Sequence, residues 1–360
     1  MLKRLTSYFT PASATLAASS YSTTTNHSTS TMPSAAPPQS HEINSLPAEW
    51  KAELDNLPTL EQTGGKIPSI FLAHGQPLLI YPPSLSVASS GMAAVADIQG
   101  PKGSLANFLK DLGPALLKKY EPKAIVVFSA HWETNNGALV TDYGEENPLL
   151  MDYFGFPPQL YEVAFKSSGD SALSERVVGL LKKSGIAART TTKLEKRGED
   201  GRGFRGPGFD HGVFVPFKLM FKDVSPIPII QVSIDASLDP RKEYALGAAL
   251  EELRSEGVLI ISGGLTIHTF RDFGAFSPKT AGPVYKEFER SIIDAVEIED
   301  PAKRQQALYA LTSHPGFRPS HPREEHFVPL YIAAGAADKT GGRARVLQGC
   351  HGAKSIVFGV

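Results

Sequence analysis

Short apolar runs separated by longer amphipathic stretches set the rhythm of this chain. Ile67–Leu72 (IPSIFL), Ala124–Ser129 (AIVVFS), Ile227–Ile234 (IPIIQVSI) and Gly257–Ser262 (GVLIIS) are nearly continuous in apolar residues, as are strands covered on both faces of a parallel sheet. Ser104–Tyr120 repeats Leu105, Phe108, Leu109, Leu112, Leu116 and Leu117 at helical spacing, with Ser104 as cap and Pro114 as a point of kinking. Ser171–Ser184, Val213–Phe221, Pro240–Glu256, Pro283–Val296 and Ala302–Thr312 read as further helices. Ser320–Ala337 reads as the last helical stretch, with Pro322 in its first turn. Gly137–Thr141 reads as an edge strand and Ile356–Gly359 as a closing one. This alternation predicts the α/β class: a single domain with a central mostly parallel or mixed sheet, flanked by helices, with its active site at the carboxyl ends of the strands.

The first forty residues break that rhythm. They carry Lys3 and Arg4, many hydroxyl side chains, no acidic residue before Glu42 and no long apolar run. That composition fits a mitochondrial transit segment better than a secretory signal, the alternative being a disordered Ser/Thr-rich tail. Initiation at Met32 would give a shorter cytosolic form, so the expected location is cytoplasmic or mitochondrial. The expected partition is an extension over 1–45, a linker with a short helix over 46–66, and a folded domain over 67–360.

Charge and cysteine content narrow the function. Thirty-six basic against 37 acidic residues leave no electrostatic footprint for nucleic acid. No apolar run reaches the roughly 20 residues of a membrane span. Cys350 is the one cysteine, which excludes an intrachain disulfide and CxxC metal sites. A metal site here must be built from His, Asp and Glu.

Histidine placement points to such a site. His74 follows the IPSIFL strand, His131 follows AIVVFS, His268 follows GVLIIS, and His211 follows the polar, glycine-dense loop Lys193–Phe209. Strand ends on one edge of a parallel sheet bring distant residues into one crevice, and neutral imidazole is a common ligand for iron and zinc. One such histidine alone is more often a hydrogen-bonded residue near a turn; three at separate strand ends are harder to ascribe to packing. His321-Pro322-Arg323-Glu324-Glu325-His326 lacks the HExxH spacing of a zinc protease, no GxGxxG follows a strand, and Ser129 lacks the GxSxG elbow.

The segments PSIFLAHGQP (68–77), PKAIVVFSAHWE (122–133), YFGFPPQLYEV (153–163), FDHGVFVPFKLM (209–220), IPIIQVSI (227–234), ISGGLTIHTF (261–270) and HPREEHFVPLYIAAGAA (321–337) resemble, in collinear order, the class III extradiol ring-cleavage dioxygenases of the 4,5-DOPA branch. The resemblance spans 67–360. It implies that His74, His131 and His268 hold Fe(II), or Zn(II) in some relatives. It also implies that His211 is the acid/base and a further possible ligand, and that His326 stands near the substrate pocket as a catalytic residue. The implied partners are a small catechol and O2; no nucleic acid, membrane or oligomeric state is implied. Gln76 and Thr269 depart from the commoner Ser and Asn, and Glu199–Gly208 reads as an insertion before His211, so the identity of the catechol stays open. A zinc hydrolase and a non-catalytic metal-binding protein are the competing readings of the same histidines.

Overall fold

The alternating faces of the central strands explain the layered architecture. Ile125 and Val127 fall in one hydrophobic cluster with Leu105, Phe108, Val213 and Phe217, whereas Val126 and Phe128 fall in another with Leu246, Leu250, Ile332 and Ala336. Side chains on a strand alternate in direction, so a strand buried on both sides needs apolar residues at every position. The computed structural model describes residues 43–82, 85, 93–197, 204, 206–338 and 341–360. Residues 1–42 of the expected extension (1–45), and 199–203 and 205 of the expected insertion (199–208), lie outside the described residues.

Eight strands form one sheet: β1 (Ser69–Ala73), β2 (Ala124–Thr134), β3 (Ala138–Thr141), β4 (Ala188–Thr191), β5 (Ile229–Asp235), β6 (Val258–Gly264), β7 (Ala344–Gln348) and β8 (Ser355–Phe358). Their order is β4-β3-β5-β2-β6-β1-β8-β7. The central run β5-β2-β6-β1 is parallel throughout, while β8 lies antiparallel to β1 and β7, and β3 antiparallel to β5. The helices are α1 (Pro47–Asp55), α2 (Ala93–Gln99), α3 (Ser104–Tyr120), α4 (Ser171–Lys183), α5 (His211–Phe221), α6 (Pro240–Ala249), α7 (Pro283–Val296), α8 (Pro301–Ala310), α9 (Phe317–Ser320) and α10 (Pro329–Asp338). Helix α1 packs onto α3 through buried Trp50, whose indole N–H donates to Asp111 at 2.9 Å. Among the described residues, no helix is long and apolar enough to cross a membrane.

Three elements depart from the pattern read along the sequence. Strand β3 is second from the edge; the edge is β4, whose sequence ARTT carries no apolar run. The closing strand β8 inserts between β1 and β7. The helix expected from Ser320 starts only at Pro329, and 321–328 run as turns. Carbonyls in that stretch are already engaged: Ser320 O accepts from the His268 amide at 2.9 Å, and His326 O from the Leu265 amide at 2.8 Å. These bonds tie the segment to the exit of β6 in place of an internal helical ladder.

Candidate metal centre and its cavity

Because β5, β2, β6 and β1 run the same way, their carboxyl ends share one edge, where such sheets hold ligands. His74 is the first residue past β1. His131 lies within β2, at a place where three extra residues open the register: Phe128 pairs with Val232, but Glu133 already pairs with Ile234. Such an irregularity re-aims a side chain without ending the strand, so His131 sits on a bulge inside the strand and not beyond its end. His268 follows β6 by four residues, His211 opens α5, and His326 comes from the turns before α10.

Ligand atoms of His74, His131 and His326 lie within 4.8 Å of one another, and all three residues are buried. Their outer nitrogens have oxygen partners. His74 Nδ1 lies 2.7 Å from Gly75 O, His131 Nδ1 lies 3.3 Å from Asp210 Oδ1, and His326 Nδ1 lies 3.0 Å from Glu325 Oε1. An imidazole that donates through Nδ1 keeps its lone pair on Nε2. Three Nε2 atoms converge: those of His131 and His326 stand 2.9 Å apart, and His74 Nε2 is buried without a hydrogen-bond partner. Burial, reinforced by neighbouring His211, lowers the His74 pKa to about 4, so this ring is neutral at physiological pH. Outer nitrogens held by oxygen partners and inner nitrogens that converge are the arrangement that suits a divalent metal.

The sequence-derived residues do not all meet in that trio. His268 stacks on His326, with ring centroids 3.5 Å apart and planes at 13°, and groups with Glu325 and His326 in a second set of potential ligands. Burial, then His326, lowers its pKa well below the usual value. His211 stands beside the trio, 4.1 Å from His131 by ring centroids. Its Nδ1 lies 2.7 Å from Asp152 Oδ1, and its backbone amide donates to the same oxygen at 2.8 Å. That leaves Nε2 as the nitrogen free to exchange a proton.

Behind His131 sits a buried polar hub that the sequence did not reveal. Asp210 caps α5 by accepting from the Gly212 amide at 2.9 Å, and it also accepts from Ser129 Oγ at 2.6 Å, Gln231 Nε2 at 2.6 Å and Arg197 Nη2 at 2.7 Å. Burial alone would raise this carboxyl, but the Arg197 guanidinium, then His131 and Ser129, hold it well below the usual carboxylate range. Ser129 therefore spends its hydroxyl on Asp210 and is no nucleophile. Arg197 itself is buried, stacks over Trp132 at 4.8 Å and receives the Trp132 indole N–H on its carbonyl. Gly212 makes this closeness possible: a Cβ there would lie 2.7 Å from Ser129 Oγ and 3.0 Å from His131 Nδ1. Asp152 was legible only as an acid in an otherwise apolar stretch, LLMDYFGF, and Arg197 carried no signal among the charges of its loop.

His131, His211, His268 and His326 open into a cavity of about 730 Å3, lined also by Gln76, Glu133, Phe154, Phe270 and Arg323. Size and lining suit a small organic ligand.

Comparison with known proteins agrees with the fold. The family described as catalytic LigB subunit of aromatic ring-opening dioxygenase matches residues 84–358. A Schizosaccharomyces pombe protein named 4,5-DOPA dioxygenase extradiol-like is 43% identical over 312 residues, covering 87% of this chain and 97% of its own length. The Beta vulgaris protein named 4,5-DOPA dioxygenase extradiol is 32% identical over 75% of this chain and 86% of its own. The crystal structure of an uncharacterized Escherichia coli K12 protein superposes with a TM-score of 0.55 at 24% identity, covering 81% of this chain and all of the other, which speaks to the fold alone.

Proposed function

Since the chain belongs to the LigB family of aromatic ring-opening dioxygenases, we propose that it is an extradiol dioxygenase, using Fe(II) to open the ring of a catechol beside its two hydroxyls and placing both atoms of O2 in the product. The observation that carries this reading is the convergence of three buried imidazoles, His74, His131 and His326, of which His131 and His326 line a ligand-sized cavity. His74, His131 and His326 would hold the metal, with His268 stacked on the outer side of His326. When bound, the metal supplies a centre on which adjacent catechol oxygens and O2 meet.

The chain's own residues supply the remaining chemistry. Asp210 and Glu325 orient His131 and His326 through their Nδ1 atoms, fixing where each Nε2 points. Asp152 does the same for His211, whose Nε2 is then placed to take a catechol hydroxyl proton and return it as the ring opens.

The test is anaerobic loading of the full chain with Fe(II), followed by a panel of catechols in an oxygen electrode. Oxygen uptake with a yellow ring-opened product is the expected result. No uptake across the panel would refute the proposal, and ester or amide hydrolysis by the zinc-loaded protein would favour a hydrolase.

A further inference from the structure

We infer that the pocket is built for a catechol carrying an extended, uncharged apolar substituent, and that Arg323 is not a receptor for a substrate carboxylate. The inference rests on the dioxygenase reading for its ring chemistry, but on separate residues for its substituent.

Two aromatic clusters from different segments form the outer part of the cavity. Phe154 and Phe156 belong to one, Phe270 and Phe273 to the other. Phe154 is 79% exposed, Phe270 63% and Phe273 47%, while the histidines behind them are largely buried. Large apolar side chains gathered around a cavity mouth mark a recognition surface. A cavity of about 730 Å3 is far larger than a single dihydroxybenzene ring, so it leaves room beyond the metal trio for whatever the ring carries.

Charge decides the nature of that substituent. Arg323 is the one Lys or Arg among the described residues lining the cavity. Both of its terminal nitrogens are engaged by Glu133, Nη1 to Oε1 and Nη2 to Oε2, each at 2.5 Å, and Glu325 Oε2 lies 3.5 Å from Nη1. With Asp152, three carboxylates line the cavity against one guanidinium. Arg323 keeps further N–H donors on its half-exposed side, but its charge is already matched by Glu133, with Glu325 beside it, so an approaching carboxylate meets two like charges around one guanidinium. An apolar substituent meets the phenylalanines and leaves the ion pair intact.

The test uses the metal-loaded full chain under anaerobic conditions, with bound 4-nitrocatechol displaced by catechol, 4-phenylcatechol, 4-tert-butylcatechol, 3,4-dihydroxyphenylacetate or L-DOPA. The two apolar members should bind roughly tenfold or more tighter than catechol, the order of gain that burying a few carbon groups provides. Dihydroxyphenylacetate and L-DOPA should bind no better than catechol. Phe270→Ala should lower the ratio of 4-phenylcatechol to catechol affinity several-fold. Glu133→Gln, which frees Arg323, should raise the ratio of dihydroxyphenylacetate to catechol affinity several-fold; ratios cancel any general loosening of the site. Tighter binding of either carboxylated catechol by the unaltered protein, or ratios unmoved in both variants, would overturn the inference. The predicted binding order without oxygen uptake would uphold the pocket assignment while refuting the dioxygenase reading; uptake with a carboxylate preference would do the reverse.

Discussion

A single carboxylate, Asp210, ties the metal-facing ring of His131 to the start of α5 and to Arg197. Asp210→Asn keeps the shape but weakens the acceptor, and loss of such an outer partner typically costs about 10–100-fold in metal affinity. Titration against a competing chelator should show a loss of that size; unchanged affinity would mean that Asp210 serves only to cap the helix. The histidines themselves divide by role. His131→Ala and His326→Ala should abolish metal retention, whereas His211→Ala should retain metal and catechol binding but lose turnover, as read by metal analysis beside oxygen uptake. Metal lost from His268→Ala but kept in His326→Ala would instead place His268 among the ligands, as the sequence resemblance implies. His74, His131, His268 and His211 were visible in the sequence because each follows an apolar run or a distinctive loop, whereas His326 was marked only by the family resemblance. Their partners were not, because Asp152, Arg197 and Glu325 come from loops and turns, where no periodicity says which way a side chain faces.

At the scale of elements, the turns from His321 to Val328 show how tertiary contacts override local pattern. Their residues are compatible with a helix, yet the segment is claimed by the exit of β6, and His321 helps to hold it there. His321 Nε2 lies 2.9 Å from Thr266 O, inside the β6-to-His268 connection, and burial lowers its pKa to about 4. This histidine is neutral in the folded protein and titrates near 6.5 when unfolded, so the unfolded state takes up its proton first as pH falls. Its contribution is fully present above pH 6.5 and is lost on the way down to pH 4, a difference of about 3 kcal/mol for a shift of that size. His321→Gln retains a donor for Thr266 O without titrating in this range. Denaturant unfolding of the chelator-treated protein should show a shallower fall in stability between pH 6.5 and 4 for the variant; parallel curves would contradict the assignment. The bulge in β2 was likewise beyond reach of the sequence, since AIVVFSAHWE reads as a strand that stops, not one that continues past a deviation.

For the whole molecule, the α/β class, the parallel centre of the sheet and the placement of chemistry at the strand ends were all legible, because buried parallel strands leave continuous apolar runs. The polar edge strand β4 was not, because ARTT carries no apolar run, and the place of β8 between β1 and β7 was not, because an apolar run marks a strand without naming its neighbours. A metal held by residues from β2, from the end of β1 and from the turns before α10 binds the folded chain and not the unfolded one. Its removal should therefore lower the melting temperature in a concentration-dependent way, with about 2.7 kcal/mol of stabilisation at a free metal concentration of 100 Kd. A melting temperature indifferent to chelation would mean that the histidines do not form a shared site.

The central claim is that this constellation opens a catechol ring by inserting both atoms of one oxygen molecule. It is tested most directly by running the Fe(II)-loaded protein with a turned-over catechol under 18O2 and weighing the rapidly quenched product. The account predicts a ring-opened product carrying two labelled oxygens, with one O2 consumed per catechol. An unlabelled quinone accompanied by hydrogen peroxide, or a product with a single labelled atom and an intact ring, would contradict it.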